Sequence, residues 1–428
     1  MAQDRGLVRV IGTRRLTAAI VNATIGAGIF VVPAMVANGL GPAAPLAYLV
    51  CAGLMALIVA CIASAGSRVS LTGGLYAYVE VAFGPFVGFL GGVLYLLSAT
   101  FASASVASAL TASLAVLWPA AGTPAGRTIL LVGLFALLAF VNVRGTALGA
   151  RLIEAMTLAK LTPLVVLIVA GVWFVEPRNL AIETLPAASS VGRTAIVLIF
   201  AFVGVEVALV PSGEISDPAR TVPRAVFTAL GITTTIYLLI QAVAQGLLGD
   251  AMSTFAAAPL AEATARVLGL SGRILVVAGA TVSMFGYLAG DLLGTPRAVY
   301  ALARDGILPR PLARVHPRFH TPYIAIPVYA TVAAAIAVSG SFNELAVFAN
   351  VAILSLYLMC VAASYGLQRR EVRAGGTPFA TPGGVAIPVL AAIVILWLLS
   401  QATARELLLD GAVLAVASAL YALRRANS

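Results

Sequence analysis

Residues 15–36 read RLTAAIVNATIGAGIFVVPAMV, an apolar run that contains Gly26, Gly28 and Pro33. A run of about 20 apolar residues is long enough to cross a bilayer as a helix. Glycine weakens a helix interior, and proline removes one bond from the helical hydrogen-bond ladder. In lipid, an interrupted helix persists only where the freed backbone groups face protein or a watery cavity. The stretch therefore predicts a broken membrane helix beside a polar site.

A second apolar run carries the same kind of interruption. Residues 193–212 contain Phe202-Val203-Gly204-Val205-Glu206, and Pro211 follows. The two interrupted runs lie five runs apart and enter the membrane in opposite directions. Broken helices at matching positions of two halves are the best sequence indication of a transporter built from inverted repeats. The alternative is that these glycines only allow close helix packing.

The whole chain has the composition of a membrane protein. It has 428 residues, of which 61% are hydrophobic and 10% are charged, whereas an average soluble protein carries about 25% charged residues. This composition excludes an ordinary soluble enzyme, a disordered chain and a disulfide scaffold. We predict one membrane domain, residues 1–428, with twelve transmembrane helices. The apolar runs are 15–36, 42–65, 84–117, 128–143, 153–174, 193–212, 224–248, 272–296, 323–339, 342–365, 384–400 and 406–423.

The basic residues predict the orientation of these helices. The chain has 26 basic residues, of which 25 are arginines and one is Lys160. Nineteen arginines fall on the side of both termini, and six fall on the other side. The six are Arg127, Arg178, Arg193, Arg266, Arg273 and Arg405. Because Lys and Arg collect in cytoplasmic loops, we predict a multi-pass protein of the inner or plasma membrane with both termini in the cytoplasm.

Several motifs together resemble those of the amino acid–polyamine–organocation superfamily of transporters, over nearly the whole chain. They are Ile25-Gly26-Ala27-Gly28-Ile29-Phe30 with Pro33, Ser70-Leu71-Thr72-Gly73-Gly74-Leu75-Tyr76-Ala77-Tyr78, Ala82-Phe83-Gly84-Pro85, Phe200-Ala201-Phe202-Val203-Gly204-Val205-Glu206, Gly213-Glu214, Asp217-Pro218, Val222-Pro223-Arg224, and residues 296–306 with Leu308-Pro309. The resemblance implies an all-α membrane protein with a leucine-transporter-like fold. That fold has a 5+5 inverted repeat plus two additional helices, and its helices 1 and 6 are broken. The first repeat would cover about 15–174, the second about 193–365, and the additional helices about 384–423.

The resemblance also implies a substrate site between the two breaks. Free N–H groups at the start of the second half-helix suit a carboxylate, and unwound carbonyl groups suit an α-ammonium group. By resemblance, Ala27 and Gly28 would bind the carboxylate, while Ile25, Phe200 and Val203 would offer carbonyls to the amine. The implied substrate-binding residues are Ile25, Gly26, Ala27, Gly28, Phe200, Val203, Gly204, Val205 and Glu206.

Lys160 lies in the middle of the fifth apolar run. A lysine at the centre of a membrane helix costs about 2.5–3.5 kcal/mol on insertion scales, so we expect it to face the bundle interior. Sodium-independent members of the superfamily carry a lysine at the matching position, which implies transport without sodium. Lys160 is then a proton-coupling residue that releases and rebinds a proton. The alternative is a structural lysine that donates to carbonyls of the broken first helix.

The predicted function is sodium-independent, proton-coupled secondary active transport of amino acids by alternating access. Phe200 matches an aromatic gate over the substrate in relatives, and its alternative role is a core phenylalanine. The side-chain pocket, with Ala201, Val205 and in part Tyr287, looks apolar and favours neutral amino acids. Glu206 leaves a cationic amino acid or a polyamine open as the substrate, and exchange is the alternative to proton coupling.

An enzyme or a channel is not expected. The apolar runs contain no histidine and no carboxylates paired at helical spacing, so a nucleophile with a base, or a metal site, cannot be assembled in them. The asymmetric breaks favour a closed site over an open pore. We expect no cofactor, no metal and no nucleic acid; the partners are an amino acid, protons and the bilayer. The sequence does not assign a role to Asp291, which lies in the eighth run.

Overall fold

The computed structural model describes residues 11–69, 71, 73–145, 150–210, 212–304, 308–373 and 376–426. These parts of the chain are almost entirely helical, and a single parallel bridge pairs Ile11 with Ile215. The α-helices in them are α1 Thr13–Thr24, α2 Gly28–Leu40, α3 Ala44–Arg68, α4 Leu75–Phe83, α5 Pro85–Ala115, α6 Pro124–Val143, α7 Ala150–Gly171, α8 Ala188–Phe202, α9 Val205–Ala208, α10 Pro218–Leu248, α11 Pro259–Arg304, α12 Ala325–Ser339, α13 Phe342–Arg369, α14 Ala386–Leu399 and α15 Ala404–Ala426.

The apolar helices fit a protein that crosses the membrane several times. Within the described chain, eight helical segments are long and apolar enough to cross a membrane, and three shorter apolar helices accompany them. Each predicted apolar run overlaps at least one helix; α1 and α2 share the first run, and α8 and α9 share the sixth. The all-helical class is therefore confirmed. The number of crossings and the inverted repeat stay predictions.

Some boundaries differ from the predicted ones. The short helix α4 was not predicted as an element, and it ends because Gly84 has a φ of 90° that turns the chain before Pro85 opens α5. The helix α11 begins well before the predicted eighth run and is kinked at Gly269, where φ is 61°. Parts of the predicted motifs lie outside the described residues, namely Ser70, Thr72, Pro211, Asp305 and Gly306.

One end of the bundle carries the C-terminal ends of α3, α6, α11 and α13, and we call it the arginine-rich face. Two arginines tie its elements together by donating to backbone carbonyl groups. Arg68 Nη1 donates to Val372 O at 3.4 Å, and Arg370 Nη1 donates to Ala82 O at 2.8 Å. These contacts link the third, fourth and thirteenth helices at one level of the bundle.

The opposite face is closed by Arg127, at the start of α6. Its guanidinium donates to the carbonyl oxygens of Ala337 at 2.8 Å, Val338 at 3.2 Å and Gly340 at 2.6 Å. The last carbonyl groups of a helix lack partners within that helix, and a basic side chain can satisfy them. Arg127 therefore caps the C-terminal end of α12 and fixes α6 to the turn before α13.

Candidate functional site

The first helix break lies between α1 and α2. The helix α1 ends at Thr24, and the Gly26 N–H bonds to Thr24 O at 2.8 Å instead of continuing the ladder. The helix α2 then begins at Gly28. Pro33 lies inside α2 and does not interrupt it. The interruption lies at the glycines. The predicted break in the first run is present at residues 25–27.

The second break lies between α8 and α9. The helix α8 ends at Phe202, and Val203 is extended with ψ of 143°. Gly204 follows with φ of 144° and ψ of −21°, a conformation that residues with a Cβ rarely adopt. The sixth run is therefore interrupted at Val203 and Gly204, where the glycine supplies the backbone freedom.

The two breaks cross each other with their backbones in contact. A Cβ atom on Gly28 would lie 2.8 Å from Ala201 Cα, and one on Gly204 would lie 2.7 Å from Thr24 N. Close approach therefore requires both glycines, and the positive φ of Gly204 is a second requirement at that position. Small residues allow this kind of backbone contact between membrane helices. The sequence predicted the two breaks, and the structure brings them together.

Unpaired backbone groups collect at this crossing. Within the described chain, no acceptor is found for the N–H groups of Ala27, Gly28 and Ile29. The carbonyl groups of Phe200 and Val203 likewise have no donor among the described residues. Free N–H groups at the start of a helix attract anions, and free carbonyls attract cations or ammonium groups. The crossing thus offers an anion-binding side and a cation-binding side.

Lys160 reaches the first break from α7. Its ammonium group donates to Asn22 O at 2.6 Å, and its side chain is buried, with 8% of the residue exposed. The ammonium group therefore contacts a carbonyl two residues before the end of α1. The expectation that Lys160 faces the bundle interior and the broken first helix agrees with this contact. Its role in proton coupling stays a prediction.

Tyr237, on α10, is a site residue that the sequence reasoning missed. Its hydroxyl oxygen lies 2.9 Å from Thr24 O and 2.9 Å from Ala201 O, so one donor joins the two broken helices. Tyr237 is fully buried. The sequence signal for this residue is a tyrosine inside an apolar run, because a buried tyrosine hydroxyl usually forms a hydrogen bond. The identity of that partner required the fold.

Glu206 holds the second break in shape. Its Oε2 atom accepts hydrogen bonds from the Gly204 N–H at 3.0 Å and from the Tyr357 hydroxyl at 2.8 Å. Glu206 is 4% exposed, and its side chain nevertheless contributes to the wall of a cavity at the crossing. These contacts describe a structural role for Glu206, which bonds polar groups within the bundle.

Replacing Glu206 by leucine should destabilise the protein. The N–H of Gly204 and the hydroxyl of Tyr357 would both lose their acceptor, at a cost of roughly 1–3 kcal/mol for each buried donor left unsatisfied. Thermal unfolding in detergent would measure the loss. Glu206→Gln keeps an acceptor oxygen and should unfold closer to the wild type, and Tyr357→Phe should fall between them. A leucine variant as stable as the wild type would show that these bonds contribute nothing.

A cavity of about 610 Å³ extends from the crossing. It runs along α11 from Ser283 past Tyr287 to Asp291, and it reaches Asn142 at the end of α6, on the way to the arginine-rich face. Its wall is mainly apolar, and it also carries polar and ionisable side chains from several helices. The polar and ionisable residues in its wall include Asn22, Tyr95, Ser98, Asn142, Lys160, Glu206, Ser283, Tyr287, Asp291 and Thr295.

The predicted site residues divide between this cavity and the surrounding core. The lining includes Gly26, Ala27, Gly28, Phe200, Val203, Gly204 and Glu206. Ile25 is completely buried, and Val205 lies beside a separate small void of about 20 Å³. Ala201 packs against Gly28 and is not part of the cavity wall. These three residues therefore do not belong to the cavity wall.

The cavity is separated from the opposite face by packed and bonded groups. The ring of Phe200 packs edge-on against Phe342, with 5.3 Å between the ring centroids. The Phe342 carbonyl accepts from Ser105 Oγ at 2.8 Å, and the Ile196 carbonyl accepts from Asn350 Nδ2 at 2.6 Å. Phe200 therefore lies at the boundary between the cavity and the closed side.

Comparison with known proteins gives the family of this chain. A family model described as amino acid permease matches residues 11–418. A serine/threonine exchanger of Bacillus subtilis is 29% identical over 386 residues, which cover 88% of this chain and 88% of the exchanger. A methylthioribose transporter of the same organism is 26% identical over 417 residues, covering 92% and 89%. An uncharacterized transporter of Mycobacterium tuberculosis is 34% identical over 358 residues, covering 82% and 78%.

These similarities agree with the broken helices, the unpaired backbone groups and the cavity between them. They indicate that the chain is a transporter and not an enzyme. It is a multi-pass cell membrane protein, and its substrate is a small molecule. The chain belongs to the amino acid permease family of the amino acid–polyamine–organocation superfamily.

Proposed function

We propose that this permease is a sodium-independent secondary active transporter that carries α-amino acids together with protons. The observation that carries the proposal is the helix crossing, where three unpaired N–H groups lie near unpaired carbonyl groups. An α-amino acid zwitterion carries its carboxylate and its ammonium group on the same carbon. It can therefore satisfy both sets at once without any charged side chain.

The position of Lys160 supports transport without sodium. Its ammonium group lies 2.6 Å from Asn22 O. A positive charge of the protein itself therefore occupies the place where a sodium ion would bind the carbonyl oxygens of the broken helix. The pKa of a lysine shifts readily on burial, so a buried lysine can release its proton. We therefore assign proton coupling to Lys160, with deprotonation weakening its hold on α1.

The closed and open sides of the cavity support alternating access. Phe200 and Phe342 close the side of Arg127, while the cavity continues towards the arginine-rich face. With both termini cytoplasmic, twelve crossings and a 5+5 repeat, this arrangement would be an inward-facing state. Phe200 would act as the gate on the outer side by separating from Phe342.

The substrate class is proposed from the wall of the site. Phe200 and Val203 offer apolar surface next to the backbone groups, which favours neutral amino acids. A serine/threonine exchanger among the relatives is compatible with a small neutral substrate and makes exchange the second candidate. A cationic amino acid or a polyamine is the remaining alternative, because Glu206 borders the same cavity.

Uptake into proteoliposomes tests this function. Each of the twenty amino acids is offered at two pH values, with sodium or with choline as the salt. We expect saturable uptake of neutral amino acids that is faster with an alkaline interior and equal in both salts. Absence of saturable amino-acid uptake would reject the proposal, and dependence on sodium would reject its coupling. Equal rates with and without a pH gradient, combined with stimulation by internal substrate, would favour exchange.

A further inference from the structure

Asp291 is a carboxylate in the cavity that the proposed substrate site does not use. Its Oδ1 atom accepts from Thr295 Oγ1 at 2.6 Å, and its Oδ2 atom accepts from Tyr329 Oη at 2.6 Å. No basic side chain of the described chain forms an ion pair with it. Acidic residues inside membrane segments are rare, and they mark proton relays or substrate pathways.

The partners of Asp291 differ in kind from those of Glu206. Glu206 accepts from the backbone N–H of Gly204, which can only donate and therefore favours the ionised carboxylate. Asp291 accepts only from hydroxyl groups, which can donate or accept. The surroundings of Asp291 can therefore accommodate a carboxylate and a carboxylic acid, whereas the Gly204 N–H at Glu206 can only donate.

Thr295 can change its hydrogen bond when Asp291 gains a proton. Pro296 has no N–H, so the carbonyl of Leu292 lacks its usual helical donor. Threonine hydroxyls in helices donate to carbonyls three or four residues earlier. On protonation, the Oδ1–H bond of Asp291 would donate to Thr295 Oγ1, and the Thr295 hydroxyl would turn to the Leu292 carbonyl. Every donor then keeps an acceptor.

The ionisable groups that face this part of the cavity come from several helices. Tyr95 and Tyr287 interact electrostatically with both Asp291 and Glu206. The lining residues that α2 and α6 supply carry no ionisable side chain. With Asp291 protonated, Lys160 protonated and Glu206 ionised, the wall would carry one positive and one negative charge. The ionisable residues are Tyr95 on α5, Lys160 on α7, Glu206 on α9, Tyr287 on α11 and Tyr329 on α12.

The order of groups along the cavity gives Asp291 a place in the proton path. A Cβ atom on Gly279 of α11 would lie 3.1 Å from the carbonyl oxygen of Ala159, the residue before Lys160. Gly279 therefore lies at the level of Lys160. Asp291 lies twelve residues further along α11, or about 18 Å at 1.5 Å per residue. It therefore lies between the level of Lys160 and the arginine-rich face, with cavity in between.

We propose that Asp291 is the proton-release site of the transport cycle. Lys160 loses a proton to cavity water and becomes an amine, and Asp291 Oδ1 gains that proton and becomes a carboxylic acid. Asp291 then returns to the carboxylate by losing the proton to water at the arginine-rich face. One proton crosses the cavity, and no other bond forms or breaks. The inference rests on the proposed proton-coupled function.

Asp291→Asn tests the proposal, because asparagine keeps the shape but cannot exchange this proton. Asp410→Asn is the matched control: Asp410 is another buried acid in a membrane helix, it accepts from Ser355 at 2.8 Å, and it lies outside the cavity wall. Each variant is reconstituted in proteoliposomes. Accumulation under an imposed pH gradient is compared with counterflow, the exchange of labelled for unlabelled substrate without a gradient.

A gradient of one pH unit stores 1.36 kcal/mol per proton, so a one-proton symporter reaches up to about tenfold accumulation. We expect about tenfold accumulation for the wild type and Asp410→Asn, and about onefold for Asp291→Asn with counterflow still present. Asp291→Glu should restore part of the accumulation.

Three other results would speak against these assignments. Wild-type accumulation by Asp291→Asn would overturn the release site alone. If Asp291→Asn loses both counterflow and accumulation, and Asp291→Glu restores neither, the release site would also be overturned. The carboxyl group would then serve folding or substrate binding. A wild type that transports no amino acid would remove the proposed function itself.

Discussion

Replacing Gly28 by leucine should abolish substrate binding, and replacing it by alanine should weaken binding by about fivefold or more. Even the first added carbon would lie 2.8 Å from Ala201 Cα and 3.3 Å from Ala201 N. These are backbone atoms, which cannot turn aside as a flexible side chain can. Overpacking of this kind costs about 1–3 kcal/mol, and each 1.4 kcal/mol corresponds to about a tenfold change in affinity.

The damage should be local to the crossing of the two broken helices. Separating α2 from α8 would displace the N–H groups at Gly28 from the carbonyl groups at Phe200, so the two ends of a zwitterion could no longer be bound together. Thermal-shift titration with the transported amino acid measures the affinity. Retained affinity in Gly28→Leu would contradict the assignment of the site.

Gly92→Ala is the control for the general effect of replacing a membrane glycine. Gly92 lies within α5, and no atom would lie within 4 Å of its added Cβ. Alanine favours the helix over glycine by about 1 kcal/mol. We therefore expect normal binding and equal or greater thermal stability in this variant.

Replacing Lys160 by alanine should abolish proton-driven accumulation. The variant loses the cation that donates to Asn22 O, and with it the group that we expect to release and rebind the proton. Under a gradient of one pH unit, accumulation should fall from up to about tenfold to about onefold. Uptake of labelled amino acid by proteoliposomes measures this ratio. Unchanged accumulation would remove the coupling role.

Lys160→Arg separates coupling from structure. Arginine supplies a positive charge and donors, but it keeps its proton under all ordinary conditions. If Lys160 only supports the broken helix, the arginine variant should accumulate substrate more nearly as the wild type does. If Lys160 titrates during the cycle, the variant should bind substrate and catalyse counterflow, yet fail to accumulate. Lys160→Met completes the series, with a chain of similar length and no charge.

The sequence indicated the breaks because local backbone chemistry determines them. Gly26, Gly28 and Gly204 interrupt runs that are otherwise apolar enough for continuous helices. A close backbone contact requires glycine at positions 28 and 204, and a positive φ also requires it at position 204. Lys160 was equally visible, since a lone charge in an apolar run needs a partner inside the bundle. Pro33 was the misleading part of the pattern, because α2 continues through it.

The extent of the cavity could not be read in the same way. Tyr95, Asn142 and Asp291 come from three helices far apart in the chain, and their meeting depends on how those helices pack. The expected pocket drew on the sixth run and on Tyr287 of the eighth run, so the polar residues that the other helices supply were not included. The hydroxyl partners of Asp291 and the bridge made by Tyr237 are likewise contacts between different helices or across one turn. Hydropathy contains no information about such contacts.

The rarity of lysine in this chain gives spectroscopy a single-site reporter. Lysine labelled with ¹⁵N at Nζ would place the isotope in one side chain only, because Lys160 is the sole lysine of the 428 residues. A nitrogen resonance could then be followed through a pH series in lipid, with and without amino acid, and without engineering a probe into the protein. The ammonium and amine forms would be observed at the atom that contacts the broken helix.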